Sequence, residues 1–143
     1  MIDYDADGTP DILTGDESGY VRVAFGANGA YLEPRQVTDY AGNVIRVPGA
    51  TGQAFAWPRI ADMDGDGAAD LLAGGAGGTI HLWLNKGGFR YAGELKMAGE
   101  PIRVNGLSTI SVVDYDGDGD NDVFVGIAPR PDENGDAGAD FAG

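Results

Sequence analysis

Aspartates at positions 1, 3, 5 and 9 of a nine-residue pattern, with glycine at position 6, recur three times in this chain. The copies are Asp3, Asp5, Asp7, Gly8 and Asp11; Asp62, Asp64, Asp66, Gly67 and Asp70; and Asp114, Asp116, Asp118, Gly119 and Asp122. Carboxylates on alternate residues, a glycine that can turn the backbone sharply, and a fourth carboxylate together build an oxygen cage for a hard cation. Ca²⁺ accepts six to eight such oxygens at flexible angles. One acidic run reads as a solvated turn, but three in register, with every Asp and the glycine kept, read as calcium loops.

The EF-hand also opens with this spacing, but it closes with a bidentate Glu at position 12. Here position 12 is Thr14, Ala73 and Val125. The closing acid stands at position 9 instead, and an apolar pair follows each time: Ile12-Leu13, Leu71-Leu72 and Val123-Phe124. Each loop therefore shuts early and feeds a strand, not a helix. Disulfide staples are excluded, since the chain has no cysteine.

The elements that must position these loops repeat with them. Loop starts lie 59 and then 52 residues apart, and the fourth residue after each closing Asp is glycine: Gly15, Gly74 and Gly126. Gly19 and Gly78 precede alternating strands, Tyr20–Phe25 and Thr79–Asn85, and Gly29 and Gly88 mark a second turn. A weaker final strand is expected near Arg35–Thr38 and Glu94–Ala98. Glycine is 25 of 143 residues, about 17% against a usual ~7%, which suits short strands joined by tight turns. The fold class is all-β, in antiparallel units of four strands and about 50 residues, the size of a propeller blade. The continuous apolar runs after the loops call for a strand covered on both faces, whereas a sandwich with one wet face would alternate. A propeller is the first choice and a calcium-stapled sandwich the second.

Residues 1–52 read as a first unit lacking its first strand, 53–104 as a complete unit, and 105–128 as the first half of a third. The seven extra residues of the first spacing are placed in the Val37–Thr51 stretch. About two and a half units fall short of the four to eight blades of closed propellers. The expectation is a part of a longer protein; the alternative is a protomer whose neighbours complete its sheets as a ring or filament. The acidic Pro/Gly tail, 129–143, is expected to be flexible. It also carries Asp132, Asn134, Asp136 and Asp140 at the same 1, 3, 5, 9 spacing, without the glycine, so a fourth, degenerate calcium loop is the other reading.

The three loops, the glycine turn before Thr79-Ile80 and the Phe25-Gly26 pair resemble the FG-GAP or VCBS repeats, over residues 1 to about 128. The resemblance implies propeller blades with calcium between the first and second strands, and an extracellular or cell-surface location. It also implies a fifth ligand in each loop, the backbone carbonyl at position 7 (Thr9, Ala68 and Asp120), beside the side chains at 1, 3, 5 and 9.

Net charge is −14, which argues against a nucleic-acid partner, because phosphates need clustered Lys and Arg. Twelve of the 23 acidic residues are the nominated ligands, so three Ca²⁺ ions would reduce the net charge to about −8. No run of 18 apolar residues exists, so membrane insertion is not expected. His81, the single histidine, lies within a strand and reads as a packed residue; with no Cys and three scattered serines, neither a zinc site nor a nucleophilic triad is indicated. Trp57, Trp83, Tyr20, Phe25 and Tyr31 could stack on a sugar, but core packing is the stronger reading. The function expected is a non-enzymatic, calcium-stabilised module of a secreted or surface protein, meeting a protein or glycan in adhesion or assembly. The alternatives are a sugar-binding propeller and an accessory domain of a larger secreted polysaccharide-active enzyme.

Overall fold

The computed structural model describes residues 2–5, 7–48 and 54–128. Its strands in chain order are β1 (Ile12–Gly15), β2 (Val21–Ala24), β3 (Gly26–Ala27), β4 (Ala30–Tyr31), β5 (Arg35–Gln36), β6 (Trp57–Ala61), β7 (Asp70–Gly74), β8 (Ile80–Asn85), β9 (Phe89–Glu94), β10 (Lys96–Met97), β11 (Glu100–Pro101), β12 (Leu107–Val113) and β13 (Asp122–Ala128). Every pairing between these strands is antiparallel. The described residues hold no helix long and apolar enough to cross a membrane.

The middle unit is a four-stranded sheet in the order β6-β7-β8-β9. Ile60 pairs with Leu71 and Leu71 with Trp83, and a register shift between Leu82 and Trp83 then brings Trp83 opposite Tyr91. The first unit repeats this plan as β1-β2-β5, with the small hairpin β3–β4. An isolated bridge from Ile2 to Asp11 stands where the middle unit pairs Ala61 with Asp70. The third unit is the pair β12–β13.

The fourth strand of the first unit, β5 at Arg35–Gln36, falls where the sequence suggested, but that of the middle unit begins earlier. In the middle unit it is β9, which opens directly after Gly88, while part of the Glu94–Ala98 segment enters a separate hairpin, β10–β11. Ala98 and Gly99 both have positive φ, +53° and +90°, the paired left-handed geometry of a tight two-residue hairpin turn, so the chain reverses there. The corresponding hairpin of the first unit joins Thr38 to Val44. Gly19 to Val47 is two residues longer than Gly78 to Val104, which make the same backbone hydrogen bond, and the stretch from Val47 to Asp62 is five longer than Val104 to Asp114. Of the seven extra residues, one thus lies between Val21 and Val37, one in the hairpin and five in the connection after it, and residues 49–53 of that connection lie outside the described ones.

The double covering expected of the strand after each loop holds for β7 only. Leu71 and Ala73 pack with Val21, Val23, Ile45 and Val47 on the first-unit side, whereas Leu72 packs with Ile80 and Ile110 on the third-unit side. In β1 and β13, Ile12 and Phe124 are exposed. The middle unit covers one side of each, and no described unit covers the other.

Adjacent units are joined the same way twice. Ala56 N–H donates to Asp16 C=O at 3.0 Å, and, one unit on, Ser108 N–H donates to Gly75 C=O at 3.1 Å. This close crossing explains the repeated glycine. A Cβ on Gly15 would sit 2.0 Å from the Ala56 carbonyl oxygen, and one on Gly74 would sit 2.3 Å from that of Ser108. The Ser108 hydroxyl is itself buried; it accepts from Gly75 N–H at 2.8 Å and lies 2.9 Å from the Thr79 carbonyl oxygen as a donor. Ser108→Ala would leave that Gly75 amide without a partner. We expect it to cost about 1–3 kcal/mol of unfolding free energy, read as a lower urea midpoint; an unchanged midpoint would refute the staple.

Candidate metal centre

Each loop is shaped by its own aspartates. The position-1 carboxylate gathers the amides of the turn. Asp3 accepts from Asp7 and Gly8 at 3.0 Å each, and Asp114 from Gly117 at 2.8 Å and Gly119 at 3.1 Å. Asp62 accepts from Gly65 at 2.8 Å, Asp66 at 3.2 Å and Gly67 at 2.8 Å. The position-5 carboxylates of Asp7, Asp66 and Asp118 accept from the amides of Thr9, Ala68 and Asp120 at 2.7, 2.8 and 2.9 Å. Such a turn needs left-handed backbone at position 6, and Gly8, Gly67 and Gly119 have φ of +85°, +85° and +95°.

This folding draws carboxylates together. Asp3, Asp5 and Asp11 in the first loop, Asp62, Asp64 and Asp66 in the second, and Asp114, Asp116 and Asp122 in the third each place one oxygen within 4.8 Å of the other two. The remaining nominated carboxylates, Asp7, Asp70 and Asp118, stand outside these triads. A donor set made only of carboxylate oxygens suits a hard divalent cation and no soft one, so these clusters could hold a metal ion. The tail residues Asp132, Asn134, Asp136 and Asp140 lie outside the described residues.

The closing Asp has a structural task that its spacing did not reveal. Asp70 is fully buried; its two oxygens accept from Met63 N–H at 2.8 Å and from Asn85 N–H at 2.7 Å. Asp11 does the same with Tyr4 at 2.7 Å and Gly26 at 2.8 Å. It therefore ties the loop to the residue fifteen places on, across the sheet. Asp122 accepts from Tyr115 at 2.9 Å and is exposed; the residue fifteen places after it, Ala137, is outside the described ones.

A family comparison extends this likeness among the loops. The model of the FG-GAP-like repeat matches residues 3–73 and 62–125. The chain belongs to the FG-GAP-like repeat family. The first match contains the first and second loops and the second match the second and third, so the FG-GAP-like pattern takes in all three. Comparison with curated proteins and with solved structures gave no match.

Two features of this FG-GAP-like chain escaped its sequence. Lys86, in the turn between β8 and β9, places its Nζ 2.6 Å from Asp64 Oδ2 and 2.5 Å from Asp66 Oδ2. Hydrogen bonds to Asp64 and Asp66 raise the Lys86 pKa, and the same contact with Lys86 lowers that of Asp66. A lone lysine beside two glycines carries no motif, and only the fold brings it to a loop twenty residues earlier. Asn121 is the second feature: its side-chain amide donates to the Asp62 carbonyl at 2.8 Å, linking neighbouring loops.

The other chemistry-bearing residues lie elsewhere. His81 is buried, with Nε2 3.0 Å from Thr79 Oγ1 and Nδ1 2.8 Å from Tyr91 Oη, and burial lowers its pKa. Trp83 is in the core, while Trp57 is 44% exposed.

Proposed function

We propose that this chain is a calcium-binding, non-enzymatic module of β-propeller type, in which Ca²⁺ at the three loops stabilises the fold of a secreted or cell-surface protein. The observation that carries the reading is the gathering of three carboxylates at each of three equivalent loops, in a chain of the FG-GAP-like repeat family. The side chains of Asp3, Asp5, Asp7 and Asp11, and their counterparts in the other loops, hold the ion, with the carbonyls of Thr9, Ala68 and Asp120. FG-GAP-like repeats are typical of extracellular proteins, where calcium is millimolar and loops with dissociation constants of ~10⁻⁴ to 10⁻³ M are filled.

The role assigned to the module is adhesion or assembly with a protein or glycan. The single histidine, buried and committed to Thr79 and Tyr91, supports the non-enzymatic reading. Burial of Trp83 leaves Trp57 as the exposed tryptophan for a sugar-binding alternative. Isothermal titration of the EDTA-stripped chain with CaCl₂ tests the proposal. The expected stoichiometry is about three ions per chain, falling by one when Asp62 and Asp64 are both changed to Asn. Absence of binding heat and of any calcium-induced spectral change up to about 10 mM, well above the dissociation constants of such loops, overturns it.

A further inference from the structure

The second loop differs from the others in already holding a cation of the protein's own. Lys86 Nζ lies between Asp64 Oδ2 and Asp66 Oδ2, touching two of the three carboxylates that converge there. Among the described residues, no other ion pair is made to a loop carboxylate. The counterpart of Lys86, sixteen residues after the closing Asp, is Ala27 in the first unit and Gly138 in the third.

The placement of Lys86 follows from the fold of the loop itself. Asn85, its neighbour, donates its backbone amide to Asp70 Oδ1 at 2.7 Å and its side-chain amide to the Ala69 carbonyl at 3.2 Å. The Asn85 side-chain oxygen accepts from Gly88 N–H at 3.1 Å, and Lys86 N–H donates to the Gly88 carbonyl at 3.2 Å. The turn is therefore bound both to itself and to the end of the loop, and the lysine stem starts beside the carboxylates. The ammonium group meets the same oxygens that a metal ion would use.

We propose that Lys86 is a built-in competitor at the second loop, which Ca²⁺ must displace in order to bind there, so that this loop trades a protein cation for a metal ion. The proposal rests on the calcium reading above and deepens it. Two consequences follow. The second loop binds calcium more weakly than its carboxylates alone would, by roughly tenfold for two partly exposed ion pairs. It is also the loop least disturbed when calcium leaves, because Lys86 swings in to neutralise the carboxylates. The middle unit, which carries the cores on both sides, then keeps its loop closed at low calcium.

The test is a calcium titration of the whole ¹⁵N-labelled chain at low salt, followed through the amide signals of Gly8, Gly67 and Gly119, one reporter for each loop. In Lys86→Met and Lys86→Gln the midpoint of Gly67 should fall roughly tenfold, while those of Gly8 and Gly119 stay in place. In EDTA both variants should melt below the wild type, and at saturating calcium that deficit should vanish. A structural lysine would leave the deficit at every calcium concentration. An unchanged Gly67 midpoint, or one that moves together with Gly8 and Gly119, overturns the role of Lys86 and leaves the calcium reading intact. If none of the three glycines responds to about 10 mM calcium, ten times the weakest dissociation constant of such loops, the calcium reading fails and takes this proposal with it.

Discussion

Removing calcium is expected to lower the melting temperature of this chain by ~10–15 °C. At millimolar Ca²⁺ and dissociation constants of ~10⁻⁴ to 10⁻³ M, each loop gains up to ~1.4 kcal/mol by mass action, and the three together up to ~3 kcal/mol once the second loop is weakened roughly tenfold by Lys86. For a domain of this size, 1 kcal/mol corresponds to about 3–5 °C. That gain is a large part of a typical domain stability of ~5–15 kcal/mol. The physical source is the crowding of like charge: three carboxylate oxygens lie within 4.8 Å of one another in each loop. A bare pair at such range can repel by up to ~4 kcal/mol at an effective dielectric near 20. The measurement is a thermal melt by circular dichroism in EDTA and again with CaCl₂, with MgCl₂ as control. Mg²⁺ demands tighter octahedral geometry and sheds its waters reluctantly, so it should restore less. Superimposable melts in EDTA and calcium would sink the structural role of the ion.

The second large effect separates three aspartates that look alike in the repeat. Asp70→Ala should cost about 3–5 kcal/mol even without calcium, because two backbone amides lose a buried, charged acceptor. Those amides belong to Met63, within the loop, and Asn85, at the far end of β8. Their loss detaches the second loop from the sheet that supports both cores. Asp122→Ala should cost under about 1 kcal/mol in EDTA, since Asp122 is exposed and water can replace its bond to Tyr115. Asp11→Ala should behave like Asp70→Ala, because Asp11 is buried and holds Tyr4 and Gly26 in the same way. Urea denaturation in EDTA reads all three variants free of metal effects. Equal losses at Asp70 and Asp122 would contradict the assignment of the buried carboxylate as a fold-holding group.

Much of the site is legible in the order of residues. Carboxylates at alternate positions must converge once glycine turns the chain back, and the clusters around Asp3, Asp62 and Asp114 do so. The glycines at 15 and 74 are visible as a repeated position, but their cause is not. It lies in the carbonyls of Ala56 and Ser108, some forty and thirty-four residues further along the chain, which cross too close for a side chain. The fourth strand is hard to place by pattern because Phe89–Glu94 carries Arg, Tyr, Gly and Glu instead of a clear alternation. Pairing against β8, not its own pattern, makes it a strand. Lys86 is silent for the same kind of reason. Its meaning depends on Asp64 and Asp66, which reach it only when β7 and β8 are laid side by side.

By itself the amino-acid sequence determined the three repeated loops, their oxygen-only chemistry and the repeat that spaces them, because ligand geometry within nine residues is local. The tertiary structure alone decided which closing carboxylate is buried and which is open, and which loop carries its own counter-charge. Burial and charge contact belong to what packs against a residue: Asp70 meets Asn85 at the end of β8, Lys86 meets Asp64 and Asp66 of the loop before β7, and Asp122 keeps its bond to Tyr115 of its own loop while remaining exposed.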